Sequence, residues 1–382
     1  MDDRTSTVRL WLRNAAVLTL KELRCVLRDR NMMVAIAIAF SVGVYLVATG
    51  VHADVANVSV GVIDSDHSGL SMRIREAIRM PHFHPPVEID RAQADAAMDA
   101  GRFIFILDIP PHFEADVHAM RAPTVQLMVD ATAMTQSSLG TAYLNEIVLR
   151  ETLAYLKVQG IEARLPTRSV THIFFNPNGE SVWFASVMQV INNVTVLAVV
   201  LVGAAVIRER EHGTIEHLLV MPVRPSEIAV AKIVANGLVI LVAVGLSVAL
   251  VVRGVLAVPS VGSLPLFLLG TAFYLFSLTA LGIMLATLTS SMPQFALLSV
   301  PVFVIMYLLS GSTTPRESMP LLLQQAMLVS PSTHYVKLAQ AILYRGAGLN
   351  VVWPQFIAMT GIGAVFLAVA MARFRSMLAR QG

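Results

Sequence analysis

One short segment gathers the residues whose types and spacing are best suited to a functional role. From Arg208 to Glu216 the sequence is REREHGTIE, so four charged residues follow one another directly, although only 14% of all residues are charged. Thr214 can cap a short helix here, and Pro222 would close it. A short, rigid, charged helix between two apolar segments is suited to receiving force from a partner protein. The alternative is an ordinary solvated loop whose charges face water.

Nucleotide hydrolysis by this chain is not indicated. A phosphate-cradling loop has the pattern G-x-x-x-x-G-K-[ST]. The chain has four lysines, and none of them follows a glycine: Lys21, Lys157, Lys232 and Lys337. The sequence therefore predicts a non-catalytic chain without a bound cofactor of its own. Any nucleotide-driven motion must come from a separate subunit.

A metal site is not indicated either. His82 and His84 offer two imidazoles, but no third and fourth ligand follows at a recognisable spacing. The two prolines after His84 favour an exposed turn. Asp64 and Asp66 are interpreted first as turn formers.

Apolar helices must position the charged segment. No Asp, Glu, Lys or Arg occurs from residue 254 to residue 315. A bilayer requires about 20 apolar residues per helical span, whereas a soluble fold cannot bury such a run. The sequence predicts six transmembrane helices, at Met32–Val51, Val182–Ile207, Ile228–Val252, Leu264–Leu288, Pro293–Leu309 and Val351–Met371.

Basic residues predict the orientation of these spans. Seven of the 28 Lys and Arg residues precede Asn31, and three more follow Met371. By the positive-inside rule both termini are expected in the cytoplasm, with the loop 208–227. Residues 52–181 and 310–350 are then expected outside. The net charge of +3 reflects this topology, because the sequence lacks the basic, aromatic-rich patch of a nucleic-acid-binding protein.

The expected fold class is an α-helical membrane protein with six transmembrane helices and an α/β extracytoplasmic domain inserted between helices 1 and 2. In the inserted part, strand patterns such as Phe103–Ile109 alternate with helical ones. The first 30 residues are expected to form an amphipathic helix in the cytoplasmic interface. The expected boundaries are 1–30 for this helix, 31–51 for helix 1, 52–181 for the inserted domain, 182–372 for helices 2–6 and 373–382 for a cytoplasmic tail.

Polar side chains inside the spans are a second group of candidates. Gln189, Asn192 and Asn193 lie in the second span, where buried amides are unfavourable unless they are hydrogen-bonded. They are candidates either for a polar translocation path or for hydrogen bonds at a dimer seam. Lys232, the only charge within a predicted span, is expected to snorkel toward the cytoplasmic interface.

Two stretches resemble the ABC type 2 transporter permease family. One is EREHGTIEHLLVMP at residues 209–222, followed by Pro225 and Lys232, and the other is SGSTTP at residues 310–315, followed by PSTHY at 331–335. The second is similar to the family's outer loop, where short re-entrant helices are expected. The likeness covers the whole chain, and the large insertion after the first span resembles the drug or small-molecule export branch with a large periplasmic domain.

The resemblance implies partners and roles. It implies a cytoplasmic ABC ATPase subunit that carries ATP and Mg, a second permease copy, a periplasmic adaptor with an outer-membrane channel, and a bacterial inner membrane as the location. It further implies efflux of a drug-like or other small amphipathic molecule. The residues that would couple to the ATPase are Glu209, Glu211, Gly213, Thr214, Glu216 and Pro222.

Two other functions are weighed against an ATP-coupled permease. A secondary transporter predicts membrane-embedded carboxylates and repeated halves, and the sequence shows neither. A membrane receptor or scaffold for a periplasmic partner needs one or two spans rather than six, and a cytoplasmic output module. The sequence specifies neither the transported molecule nor the choice between a homodimer and a heterodimer.

Overall fold

The chain divides into two compact units, which are residues 1–50 with 182–382, and residues 51–181. The structure, a computed structural model, describes residues 2–50, 58–80, 82–130, 134–158, 181–211, 224–259, 261–312, 316 and 319–378. In chain order its elements are α1 (Asp2–Arg28), α2 (Arg30–Gly50), β1 (Val60–Asp64), α3 (Gly69–Ala77), β2 (Val87–Glu88), α4 (Arg91–Asp99), β3 (Phe105–Ile109), α5 (Phe113–His118), β4 (Gln126–Val129), α6 (Met134–Val158), α7 (Ser181–Glu211), α8 (Pro225–Val255), α9 (Leu264–Leu288), α10 (Met292–Leu309), α11 (Leu321–Ala326), α12 (Pro331–Leu343) and α13 (Leu349–Leu378).

Six of these helices are long and apolar enough to cross a membrane: α2, α7, α8, α9, α10 and residues Leu349–Arg373 of α13. The six predicted spans are confirmed as helices, with ends that differ by about four residues at most. Helix α7 has 31 residues and is therefore about 46 Å long. Because a hydrocarbon core is only about 30 Å thick, its charged carboxyl end extends beyond the apolar layer.

Helices α7 and α9 form the centre of the membrane unit. In the most apolar stretch of each, 67% of the residues are buried, compared with 22%, 17% and 22% for α2, α10 and α13. Glycine permits the close approach of α7 and α9, since a Cβ at Gly282 would lie 2.9 Å from the carbonyl oxygen of Val199. The more exposed helices surround this pair.

Helix α1 packs along α8, and its position in the cytoplasmic interface stays a prediction. Trp11 donates its indole N–H to the hydroxyl of Ser226 at 3.1 Å. Ala15, Glu22 and Val26 are buried at i, i+7 and i+11 spacing. Leu12 and Leu27 of the same helix are exposed, so apolar side chains also lie outside the side of α1 that is buried.

Helices α11 and α12 occupy the expected outer loop. The stretch PSTHY begins α12, which is buried along most of its length. Tyr335 of α12 stacks on Tyr274 of α9, with ring centroids 4.1 Å apart. Its hydroxyl lies 2.7 Å from that of Thr271, and the hydroxyl of Tyr274 lies 2.6 Å from that of Thr195. The stacked rings and the contact between Tyr335 and Thr271 join α12 to α9, and the contact between Tyr274 and Thr195 joins α9 to α7.

Residues 51–181 contain a four-stranded sheet with the order β2-β1-β3-β4. Strand β1 is parallel to β2 and β3, whereas β3 and β4 are antiparallel. Helices α3, α5 and α6 cover one face through residues such as Leu70, Phe113 and Leu144. Helix α4 covers the other face, with Ala94 and Ala97 against Ile63 and Ile106. Helices on both faces of a mostly parallel sheet define an α/β layer architecture.

The turn after β1 is built on Asp64, as expected for a turn former. Its carboxylate accepts the N–H groups of Asp66 and His67 at 3.2 and 2.9 Å, and the hydroxyl of Ser71 at 2.8 Å. Burial disfavours the ionised carboxylate, but these hydrogen bonds outweigh it and hold the pKa of Asp64 below its ordinary value. Asp66 in turn accepts the N–H of Glu114 at 2.9 Å.

His82 and His84, the two histidines that were examined as metal ligands, lie on the surface of the inserted unit. His82 stacks on the ring of Tyr143 with centroids 4.6 Å apart, and Phe83 next to it is buried. No group of three or more His, Cys, Asp and Glu residues suited to a metal occurs among the described residues.

Candidate functional site

The last four residues of α7 are all charged, and each of them contacts a different neighbouring element. Successive residues of an α-helix point about 100° apart, so four in a row face all sides of the helix. Because α7 is the central helix, those four directions lead to different partners. The junction formed by Arg208, Glu209, Arg210 and Glu211 therefore connects the other helices at one end of the membrane unit.

Arg208 is directed toward the start of the first span. Its guanidinium lies 3.6 Å from Oδ2 of Asp29, in the break between α1 and α2. The other carboxylate oxygen of Asp29 accepts the N–H of Met32 at 3.1 Å and so caps α2. Asp29 thus ties the end of the second span to the start of the first span.

Glu209 belongs to a charge network that joins three helices. Nζ of Lys232 on α8 lies 2.8 Å from Oε1 of Glu209 and 3.3 Å from Oε2 of Glu22 on α1. Lys21 completes the group at 3.3 Å from Glu22 and 3.8 Å from Glu209. Burial opposes the charge of Lys21, but the carboxylates of Glu22 and Glu209 outweigh it and raise the pKa of this amine. The four formal charges sum to zero, which makes the burial of Glu22, Glu209 and Lys232 tolerable.

The sequence-based expectation for Lys232 is wrong. Instead of snorkelling toward the interface, its side chain is only 3% exposed. One ammonium charge can form ion pairs with two carboxylates at once when both lie within about 4 Å of it. Glu22 and Glu209 supply those carboxylates from two other helices, so the lysine is neutralised where it lies.

Arg210 and Glu211 reach the turn between the fourth and fifth spans. A guanidinium N–H of Arg210 donates to the carbonyl oxygen of Thr289 at 2.6 Å, where α9 has just ended. Oε1 of Glu211 accepts the N–H of Met292 at 3.0 Å, at the first residue of α10. A carboxylate at a helix N-terminus is stabilised by the unpaired N–H groups there.

The remaining predicted coupling residues, Gly213, Thr214, Glu216 and Pro222, lie outside the described residues. Both ends of their segment are described. On one side it leaves Glu211, and on the other it enters α8, where Oε2 of Glu227 accepts the N–H of Arg224 at 2.9 Å. The charged junction therefore contains two of the predicted coupling residues, Glu209 and Glu211, and directly precedes the segment that contains the other four.

Two of the three amides in the second span form hydrogen bonds within the chain. Gln189 donates to Oδ1 of Asn193 at 2.9 Å, and Asn193 donates to the carbonyl oxygen of Ala39 at 2.6 Å. Ala39 begins a π-helical stretch of α2 that ends at Gly43. These two amides join the second span to the first, which is the interhelical hydrogen bonding that polar groups provide in a membrane.

Asn192 has a different environment. It lines a cavity of about 230 Å³ between α7 and α10, together with Thr195, Tyr307 and Ser310. Val196, one turn further along α7, is 40% exposed, so this face of the helix is accessible. The structure thus separates Asn192 from the other two amides.

Comparison with known proteins identifies the family of this chain. The model of the family described as "ABC-2 family transporter protein" matches residues 30–372. The chain belongs to the ABC-2 transporter family. Membership makes it a membrane subunit of an ABC transporter, and the family implies an ATPase partner and a lipid bilayer around the spans.

Curated ABC-2 relatives cover almost the entire chain. The chain is 48% identical to "Inner membrane transport permease YhhJ" of Escherichia coli K12 over 364 residues, which are 95% of this chain and 97% of that protein. It is 26% identical to "Probable multidrug ABC transporter permease YbhR" of the same organism over 375 residues, which are 96% of this chain and 98% of that protein. The predicted resemblance to ABC type 2 permeases is confirmed.

Sequence reasoning missed Glu22, which completes the charge network of this ABC-2 subunit. Its signal was available, because Glu22 is the acidic residue in line with Ala15 and Val26 on the buried side of α1. A carboxylate in an apolar helical stripe predicts a buried cation as its partner, and Lys232 is the only charge within a predicted span. A hydrogen bond to a backbone carbonyl, such as the one from Arg210 to Thr289, gives no comparable signal in the sequence, because every residue type carries that carbonyl.

Proposed function

We propose that this chain is the membrane-spanning permease subunit of an ATP-driven exporter, with ATP hydrolysed on a separate cytoplasmic subunit. The observation that supports the proposal is the junction at residues 208–211. It directly precedes the segment 212–223, and it contacts α1, α8, α10, the residue that caps α2 and the residue that follows α9. A displacement of that segment by an ATPase would therefore act on the entire helical bundle.

Glu209 and Glu211 have a transmitting role in this proposal. Both carboxylates are engaged within the chain, one with Lys232 and the other with the N-terminus of α10. Gly213, Thr214, Glu216 and Pro222 are proposed to meet the ATPase. Force applied there moves the end of α7, and the two carboxylates transfer the movement to α1, α8 and α10.

The energy source in this proposal is outside the chain. ATP and Mg would bind to the partner ATPase, whose hydrolysis supplies the work. The membrane subunit contributes the helices that rearrange, and their packing determines which movements are possible. This division agrees with the family and with a sequence that carries no phosphate-cradling loop.

The proposed location is the bacterial inner membrane, with both termini in the cytoplasm. The arginines before the first span support this orientation, and the relative YhhJ is named an inner membrane permease. Residues 51–181 would then form a periplasmic domain. We propose that its α/β fold is a docking platform for a periplasmic adaptor that leads to an outer-membrane channel.

The proposed substrate is a drug-like or other small amphipathic molecule, as the name of the relative YbhR suggests. Two copies of the permease would enclose its path. Asn192 is the amide best placed to contact it, because it lines a cavity at an exposed face of α7. Gln189 and Asn193 are assigned to helix packing.

The test of coupling compares Glu209→Gln with the wild-type chain in inside-out vesicles that contain the ATPase subunit. Glu146, an exposed residue of the inserted unit, supplies the matched control Glu146→Gln. The proposal predicts that Glu209→Gln keeps ATP hydrolysis but lowers ATP-dependent uptake of fluorescent amphiphiles about tenfold, equivalent to about 1.4 kcal/mol. Uptake that does not depend on ATP, or normal uptake in both variants, would refute it.

Orientation is tested separately with the single cysteine of the chain. Cys25 is exposed on α1 and is proposed to face the cytoplasm. In a Cys25→Ser background, Met120→Cys provides an exposed thiol in the inserted unit. A maleimide that does not cross the membrane should label the residue 120 thiol in spheroplasts and should label Cys25 only after lysis. The reverse pattern would invert the proposed topology.

A further inference from the structure

A cavity of about 380 Å³ lies between α1, α7 and α8, beside the charge network. Its volume is within the range of about 300–1,000 Å³ that is usual for pockets that bind small molecules. Lys21, Cys25 and Arg208 line the cavity and are exposed, so it opens at the surface of the unit. Its apolar lining residues are Val26, Met32, Leu201 and Ala205.

The charged side chains that line this cavity are paired with one another. Glu22 and Glu209 pair with Lys232. Lys21 pairs with Glu22, and Asp29 pairs with Arg208. The cavity therefore has three cations and three carboxylates, whose formal charges sum to zero. A ligand with a net charge would unbalance this group, whereas an uncharged ligand leaves it intact.

Asn236 gives an independent sign of such a ligand. It lines the cavity and is 1% exposed. Its amide N–H donates to the carbonyl oxygen of Lys232 at 2.9 Å, which fixes the orientation of the amide, because a carbonyl oxygen only accepts. Oδ1 of Asn236 is then left without a hydrogen-bond partner among the described residues. Buried amide oxygens ordinarily accept a hydrogen bond, so a donor is missing at this position.

We propose that this cavity binds an uncharged amphiphile that donates one hydrogen bond, from a hydroxyl or an amide N–H, to Oδ1 of Asn236. The apolar body of the ligand packs against Val26, Met32 and Leu201, and the paired charges keep their partners. Water also supplies a donor, but it leaves these apolar side chains without packing partners.

Binding should depend on the donor of the ligand. An analogue of similar size and apolarity that lacks the donor excludes water from Oδ1 without replacing it. Leaving a buried acceptor unpaired in this way should weaken binding at least about fivefold. Binding needs neither ATP nor the ATPase, so it is measured on the purified chain, and its failure would leave the export function proposed above untouched.

The test measures how fast N-ethylmaleimide alkylates Cys25 in the purified full-length chain, because this thiol lines the cavity and is the only cysteine of the chain. The probes are para-phenylphenol, whose hydroxyl is un-ionised at about pH 7, and its methyl ether, which has no donor. The phenol should slow alkylation in a saturable manner, and the ether should need an at least about fivefold higher concentration for half-maximal protection. Equal half-maximal concentrations would overturn the proposal, and so would the absence of protection, which is expected if the cavity holds only water.

A displaced thiol separates binding in the cavity from an effect of the probe on the detergent micelle. Ala16 is exposed on α1 and does not line the cavity. In a Cys25→Ser background, the phenol should leave the alkylation rate of Ala16→Cys unchanged. Equal protection of this thiol would refute binding in the cavity.

Two kinds of variant test the site itself. Asn236→Leu removes the acceptor and should give the phenol and the ether the same half-maximal concentration. Ala205 and Ala185 are both half-buried on α7, but only Ala205 lines the cavity. Ala205→Phe should therefore abolish protection, and Ala185→Phe should keep it. An undiminished preference for the phenol in Asn236→Leu, or equal protection in the two phenylalanine variants, would contradict the assigned site.

Discussion

Removing Lys232 tests whether its charge network holds three helices together. The change Lys232→Met keeps the length of the side chain but deletes the ammonium group that lies 2.8 Å from Glu209 and 3.3 Å from Glu22. Two carboxylates then share Lys21 alone, and the net charge of the group falls from zero to minus one. Lys21 is 53% exposed, so it compensates only in part.

The size of the effect follows from the cost of an unbalanced buried charge. Removing one partner of a buried ion pair typically destabilises a protein by about 3–5 kcal/mol. The double variant Lys232→Met with Glu209→Gln restores a net charge of zero. We expect it to recover most of that loss, to within about 1–2 kcal/mol of the wild-type free energy of unfolding.

The assay is equilibrium unfolding of the full-length chain in mixed micelles, followed by circular dichroism during titration with sodium dodecyl sulfate. Lys337 is exposed on α12, so Lys337→Met serves as the control and should change stability by less than about 0.5 kcal/mol. A loss below about 1 kcal/mol for Lys232→Met, or a double variant no more stable than the single one, would refute the description of the network.

Three further predictions concern packing, pH and the amides of the second span. Gly363→Leu should lower the free energy of unfolding by about 1–3 kcal/mol, because a Cβ at this position would lie 2.7 Å from a ring carbon of Phe276 on α9. At Gly361 nothing lies within 4 Å of such a Cβ, so Gly361→Leu should leave the free energy of unfolding unchanged in the same titration. Because the pKa of Asp64 is lowered on folding, its stabilising contribution is complete above pH 4 or so and is lost as the pH falls through the lowered pKa. The hydrogen-exchange protection factors of α3, which correct for the intrinsic exchange rate at each pH, should therefore fall as the pH is lowered below about 4. Asp64→Asn should flatten that dependence, and an identical pH profile in the variant would contradict the assignment. Asn193→Leu should lower stability by about 1 kcal/mol, whereas Asn192→Leu should alter transport of amphiphiles without that loss; the opposite result would reassign the two amides.

The spans were predictable because the signal for a transmembrane helix is local. An uncharged run of about 20 residues is sufficient to predict a span, whatever the helix packs against. The same holds for the charged segment at residues 208–211, whose composition differs from that of the rest of the chain. Its family resemblance rests on the same local pattern, and the family match confirms it.

The contacts of the junction were not predictable, because they join residues that are far apart in the sequence. Lys232 and Glu22 are separated by 210 positions, and only the packing of α1 on α8 brings them together. The snorkelling rule failed because it considers one helix in lipid, without a neighbour that carries a carboxylate. The hydrogen bond of Asn193 was not predictable for a second reason. Its acceptor is a backbone carbonyl at the π-helical stretch of α2, and no pattern of side chains in the sequence predicts that contact.

Energy from a separate ATPase is proposed to enter this chain at residues 212–223. The most direct measurement places the photo-crosslinking amino acid p-benzoylphenylalanine at Ile215 and, as a control, at Met120 of the inserted unit. After irradiation of intact cells, position 215 should crosslink to a protein that carries the sequence G-x-x-x-x-G-K-[ST], identified by mass spectrometry, and position 120 should not. If position 215 yields no crosslink to such an ATPase, or if position 120 yields the same one, residues 212–223 are not where the ATPase acts on this chain.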